Sequence, residues 1–394
     1  MAALGYFVDI YDLILFSIVR VASLKSLGIP DDQMLDTGVL LLNMQMGGML
    51  LGGILWGILG DKRGRISVLF GSIFLYSAAN IANGFVQDVS MYALLRFIAG
   101  IGLAGELGAG ITLVSEVMPK HKRGYGTMIV ASIGVMGAVA AALIVDLTEW
   151  RTSYFIGGGM GLLILLLRVG VYESGMYNSI KQAKDIGKGQ FIKLFTDKNR
   201  FLKYLYCILI GLPLWFVVGI LITFSPEFGK AFGITEPISA GKSVMYCYIG
   251  LVFGDILSGT LSQYWKSRKK TLYYFLVATL ATISIYLFFN TFGVVYFYGV
   301  CIAIGISVGY WVIFVTNASE QFGTNLRSTV ATSVPNLIRG SVIPLTTLFQ
   351  LLKPVMGIKY GAFAIGVVTI LIALWATRKL EETYGKDLDY TEIT

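Results

Sequence analysis

Histidine is almost missing from this chain, with His121 the only one in 394 residues. The three cysteines, Cys207, Cys247 and Cys301, stand singly and match no metal-binding or redox spacing. No His-Glu-x2-His element is present and no Ser and His pair lies within the apolar runs, so a zinc site or a His-based nucleophilic triad inside a membrane is excluded. Neither a metal nor an organic cofactor is expected, and an intramembrane hydrolase would have no recognisable catalytic set. Charge is also scarce: 14% of residues are Asp, Glu, Lys or Arg, against about 25% in a typical soluble domain.

What fills the chain instead is apolar. Hydrophobic residues make up 56% of it, and the mean hydropathy is +0.73. Crossing a hydrocarbon core of about 30 Å takes about 20 apolar residues in a helix. Runs of that kind fall near 3–22, 37–59, 66–84, 91–115, 126–145, 153–170, 204–222, 243–263, 271–289, 294–317, 328–350 and 360–377. The expected fold class is therefore an all-α integral membrane protein with twelve transmembrane helices.

Lys and Arg gather after every second run: Lys62, Arg63 and Arg65; Lys120, Lys122 and Arg123; Lys181 through Lys203; Lys266 through Lys270; and Arg378 with Lys379. The alternate connections are short and acidic or neutral, as with Asp31, Asp32 and Asp36 or Asp146 and Glu149. The positive-inside rule then places both termini in the cytoplasm of a multi-pass plasma (inner) membrane protein. This asymmetry accounts for the net charge of +8, so the partners expected are the lipid bilayer and a small molecule, and no nucleic acid. No cleavable leader is expected, because the first apolar run carries Asp9 and Asp12 and lacks a basic start.

The chain also repeats itself. Ser115-Glu116 followed by Arg123 returns as Ser319-Glu320 followed by Arg327, displaced by 204 residues. With the same displacement, Gly60-Asp61-Lys62-Arg63-Gly64-Arg65 meets Tyr264-Trp265-Lys266-Ser267-Arg268-Lys269, where the basic cluster persists and Asp61 is replaced. The domains expected are an N-terminal six-helix bundle at 1–170, a cytoplasmic linker at 171–203, a C-terminal six-helix bundle at 204–377 and a cytoplasmic tail at 378–394. Duplicated membrane halves place a substrate site between them.

The loop Gly57 to Arg65 resembles the signature of the major facilitator superfamily, in which an acidic residue and following arginines bind helix ends across the interface between halves. Arg96-x3-Gly100-x-Gly102-x2-Gly105-Glu106, then Ser115-Glu116, Pro119-x3-Arg123-Gly124 and Tyr172-Glu173-Ser174, resemble the branch of sugar porters, phosphate and aromatic-acid proton symporters and organic-ion transporters. Tyr172 stands where that branch has proline. The glycines also have a purely structural use, since small residues let membrane helices approach closely. The resemblance implies two six-helix pseudo-symmetric bundles working by alternating access as a monomer. Asp61, Arg65, Glu116, Arg123, Glu320 and Arg327 are then gating charges that hold one access state closed.

Ionisable residues inside apolar runs cost at least about 2.5–3.5 kcal/mol at the bilayer centre, so each asks for a reason. Asp9 and Asp12 share one face of the first helix, and the Asp9-Ile10-Tyr11-Asp12 element resembles the first helix of phosphate and aromatic-acid symporters. Arg96 and Glu106 stand about 15 Å apart along one helix, too far to pair. Asp12 and Glu106 are the candidate proton-coupling carboxylates, with Asp9 and Arg96 as their neighbours in function. Arg339 lies twelve residues beyond Arg327, about 18 Å into its helix and near mid-membrane, where organic-anion transporters of this branch carry an arginine. Its planar fork suits a carboxylate, sulfate or phosphate, although an ion pair with Asp255 would also explain it. Asn336, Tyr310, Trp311 and Trp215 are the remaining candidates for substrate binding. The expected function is proton-coupled symport of a small organic anion. A proton-driven exporter of an amphipathic compound or siderophore, and a facilitator of neutral solutes such as sugars, remain as alternatives.

Overall fold

The computed structural model describes residues 2–63, 65–105, 123–167, 191, 193–289 and 292–386. Among these residues the regular structure is helical. The N-terminal half contains α1 (Ala2–Ser26), α2 (Met34–Arg63), α3 (Arg65–Asn83), α4 (Val89–Leu103), α5 (Arg123–Leu147) and α6 (Trp150–Leu167). The C-terminal half contains α7 (Lys198–Ile210), α8 (Ala240–Tyr264), α9 (Arg268–Phe288), α10 (Val294–Val308), α11 (Trp311–Glu320), α12 (Thr324–Gly340) and α13 (Val342–Lys379). After α7 the chain continues as Leu212–Phe216, a π-helical stretch Val217–Ile222 and a short helix Ser225–Ala231.

Helix starts follow local chemistry. Asp88 and Asp197 accept the backbone N–H of Met91 and Arg200, each at 2.8 Å. Ser239 and Ser267 accept those of Lys242 and Lys270 at 3.3 and 3.1 Å. Each satisfies an amide that the helix itself cannot. Between α10 and α11 the chain breaks at Gly309 and Tyr310 but continues as one span.

Eight segments of the described residues are long and apolar enough to cross a membrane. The last, Thr329–Lys379, holds two spans, because Gly357 adopts φ 75° inside α13 and turns the chain back. The charge-bearing α1 and the shorter apolar helices Ser67–Asn83 and Val89–Leu103 complete twelve spans. This is the expected all-α, multi-pass membrane fold.

The halves meet along two seams, α2 against α12 and α5 against α8. Exchanging every span with the one six places along maps one seam onto the other, as a duplicated architecture requires. Inside each half the same device recurs: a Cβ at Gly100 would overlap the Gln45 carbonyl oxygen of α2, and one at Gly305 would overlap the Cys247 carbonyl oxygen of α8. Only glycine lets these backbones come so close.

Two faces can be told apart by the termini. On the face opposite the N-terminus, called distal here, the loops after α1 and before α8 meet across the halves. On the terminal face, Leu380–Lys386 packs back on the start of α9, with Glu382 accepting the amides of Arg268 and Lys269 at 2.8 and 3.2 Å.

Candidate functional site

The seam between halves encloses a small cavity of about 20 Å³, walled by Tyr6 and Ile10 of α1, Trp215, Tyr248 of α8, Trp311 of α11 and Arg339 of α12, among others. Helical spacing places these groups together: Tyr6 and Ile10 are one turn apart on α1, and the break before α11 turns Trp311 inward. At that volume it holds about one water molecule.

Arg339 is 1% exposed. Its Nη1 donates to Asn336 Oδ1 at 3.2 Å, and its guanidinium carbon lies 5.8 Å from the ring centroids of both Trp215 and Trp311. The aromatic faces supply cation–π attraction but accept no N–H fully. Among the described residues, Arg339 Nε and Nη2 and the indole Nε1 of Trp215 have no hydrogen-bond acceptor. Three buried donors therefore lack an acceptor beside one cavity, an arrangement that is costly unless an anion arrives to use it.

Asp255 is not the partner that fills this need. Its Oδ1 accepts the backbone N–H of Val312 at 3.2 Å, so the carboxylate caps the N-terminus of α11. Asn336 is likewise engaged on every side: Nδ2 donates to the Ala104 and Thr332 carbonyls, each at 2.8 Å, while Oδ1 holds Arg339. It positions the arginine rather than lining the cavity. Tyr310 does not line the cavity either; it is buried with its hydroxyl donating to the Ile210 carbonyl at 3.1 Å, because it precedes Trp311 and projects from the other side of the break.

A second buried polar cluster lies within the N-terminal half. Arg96 is fully buried, donates through Nη2 to Gln45 Oε1, and sits 5.1 and 5.9 Å from the Phe16 and Tyr154 ring centroids. Asp12 is buried against Gly157, where a Cβ would overlap Oδ1, and faces Asn80 and Arg96. Its carboxylate oxygens have no hydrogen-bond donor within bonding geometry among the described residues. Asp9 is also buried. Tyr6 links the two regions: its hydroxyl accepts the Trp311 indole N–H at 3.1 Å and lies in the field of Arg339, Asp9 and Asp255.

Of the gating candidates, Glu116 and the coupling candidate Glu106 lie outside the described residues, and the side chains of Asp61, Arg65 and Arg123 are likewise not described. In the second copy Glu320 pairs with Arg268 at 3.4 Å and accepts the Thr383 hydroxyl at 2.7 Å. Arg268 belongs to the basic loop that repeats the one after α2. Arg327 donates to the Phe322 carbonyl at 3.3 Å.

Sequence reading passed over Arg20 and Glu227. Arg20 is fully buried, and its Nη2 lies 2.8 Å from Glu227 across the halves at the distal face. The available signal was a basic residue inside the first apolar run, but its acidic partner 207 positions away obeys no repeat or local spacing.

Residues 2–347 match the family described as Major Facilitator Superfamily. The chain belongs to that family. A Bacillus subtilis protein named for niacin and nicotinamide transport is 24% identical over 352 residues, covering 84% of this chain and 81% of its own. A Corynebacterium glutamicum gentisate transporter is 24% identical over 403 residues, covering 96% and 86%. Among solved structures, the proton:xylose symporter XylE bound to 6-bromo-6-deoxy-D-glucose has the same fold, with a TM-score of 0.76 at 15% identity and coverage of 98% and 96%. As a member of this family the chain is a secondary transporter of small molecules and not an enzyme.

Proposed function

We propose that this protein is a proton-coupled symporter of a small, flat organic anion, working by alternating access as a monomer with both termini in the cytoplasm. The observation that carries this reading is Arg339, held between Trp215 and Trp311 with Nε and Nη2 unengaged beside the inter-half cavity. A carboxylate can accept from both nitrogens in parallel, and a planar ring attached to it would lie between the indoles. Niacin and gentisate, in the names of two relatives, are acids on aromatic rings and favour the same chemistry, while the first name also gives nicotinamide, the neutral amide on the same ring.

The cavity is too small for such a ligand in this conformation, so the halves must part for binding. Asp12, buried and facing Asn80 and Arg96, is one proton-loading carboxylate in this reading, and Glu106 is the second. The orientation rests on the Lys and Arg distribution, and the inward direction is what the sign of flux under an imposed proton gradient decides.

Uptake of radiolabelled nicotinate and gentisate into proteoliposomes under an imposed inward proton gradient tests the proposal. Accumulation that collapses with a protonophore is expected, with loss of accumulation but retained equilibrium exchange in Asp12→Asn and Glu106→Gln. Net extrusion, or accumulation undiminished in both variants, would remove it.

A further inference from the structure

The distal seam is closed by a contact of unusual composition. Arg20 has no exposure, whereas Glu227 keeps 19% of its side chain open. The guanidinium is held from several other sides: it donates to the Met34 and Thr223 carbonyls at 3.3 and 3.4 Å and lies 4.7 Å from the Phe224 ring centroid. Gly38 leaves the slot for its stem, since a Cβ there would press on Arg20 Cδ. One turn toward the central cavity, Thr223 donates to Ser17 Oγ at 3.0 Å, continuing the same seal between halves.

Outside this pair lies a cavity of about 320 Å³, large enough for a small organic acid, with Glu227 in its wall. Its charged lining is Lys25 and Lys230 against Asp31, Glu227 and Glu236, so apart from Glu227, whose charge Arg20 offsets from behind the wall, the signs are matched; Lys25 and Asp31 approach to 3.9 Å. No local excess of charge therefore draws an anion away from Arg20. Along α1, Arg20 is fourteen residues from Tyr6, about 21 Å from the level of the central cavity.

A buried arginine cannot lose its carboxylate partner without a replacement, because the uncompensated charge is expensive. A carboxylate with part of its side chain exposed can leave toward water. We propose that Arg20 and Glu227 form an anion-exchangeable latch: an organic carboxylate arriving in the distal cavity displaces Glu227 from Arg20, which frees the two halves to part there and admits the anion toward Arg339. Arg20 is thus a transient anion-binding residue, and Glu227 a built-in competitor for it. The inference rests on the proposed anion specificity but acts at a different place and an earlier step.

The test uses full-length protein in detergent, with Ser17→Cys as a reporter just inside the latch; the three native cysteines are buried. Labelling by a charged maleimide is followed with nicotinate or its neutral isostere nicotinamide as the probe. Glu227→Gln is expected to label several-fold faster without any probe, and Glu227→Asp to fall between it and the parent. Nicotinate, but not nicotinamide, should accelerate labelling in the parent and equally in Arg339→Ala, with no further effect in Glu227→Gln. Equal labelling of the parent and Glu227→Gln, no response to nicotinate, or a response abolished by Arg339→Ala would overturn the latch. If the response survives in Arg339→Ala while uptake is unaffected by that substitution, the central-site reading fails and the latch stands.

Discussion

Trp311 donates its indole N–H to the Tyr6 hydroxyl at 3.1 Å, joining the C-terminal half to the N-terminal half at the wall of the central cavity. The bond is buried and links the aromatic face beside Arg339 to the helix that carries Asp9 and Asp12. It spans the two halves with the cavity closed as it is here.

Breaking that bond from either side should have one and the same effect. Trp311→Phe and Tyr6→Phe are each expected to raise the apparent KM for anion uptake by roughly 2- to 12-fold, the range for about 0.5–1.5 kcal/mol. The double variant should be no worse than the poorer single one, which a double-mutant cycle on transport kinetics checks.

Arg339 and Asn336 should separate binding from positioning. Arg339→Ala is expected to abolish anion binding in a thermal-shift or equilibrium assay while leaving the apparent Tm without ligand near that of the parent, since two of its nitrogens have no acceptor to lose. Asn336→Ala should weaken binding by about tenfold, the loss of roughly 1.4 kcal/mol of orientation. Arg339→Lys should rescue charge but not affinity, because an ammonium lacks the planar fork.

Asp255 should prove structural. Removing the carboxylate in Asp255→Ala leaves the Val312 amide without its cap and is expected to cost about 1 kcal/mol of stability. Asp255→Asn retains an acceptor and should recover most of it, as read by thermal unfolding in detergent. Nicotinate affinity should change little in Asp255→Asn.

The terminal-face segment Leu380–Lys386 gives a pH-dependent contact. Partial burial pushes Glu382 up, but the Ser267 hydroxyl and the amides of Arg268, Tyr384 and Lys269 outweigh it and hold the carboxyl below its usual range. A depressed folded-state value means that its contribution is present above the ordinary carboxylate range and is lost as pH falls through the lowered value. Proteolytic release of the tail should therefore be slow at neutral pH and accelerate in acid, and Glu382→Gln should show the faster rate at neutral pH with a flattened pH profile.

Much of the architecture was legible because a bilayer allows few solutions. Backbone groups in hydrocarbon must be satisfied within a helix, so long apolar runs announce spans, and the displaced Ser-Glu and Arg pattern announces two halves. Arg339 was visible for a related reason: a cation in an apolar run is too costly to be incidental. Its alternative partner, Asp255, was equally visible, and nothing in spacing could say that this carboxylate turns toward the α11 amides. Tyr310 and Trp311 show the same limit. They are adjacent in sequence, but the break in the span sends one ring to the Ile210 carbonyl and the other to the cavity.

Sequence by itself therefore determined that this chain spans a membrane twelve times, that it divides into two similar halves, and that a few charges lie inside its apolar runs. Tertiary structure alone decided the pairings: Glu320 with Arg268, Asn336 behind Arg339, and Arg20 with Glu227 across the distal seam. The physical reason is that hydrophobic burial is additive along a chain and leaves a periodic trace, whereas a buried charge depends on which few groups meet it within about 4 Å. That meeting is set by how two bundles are laid against each other.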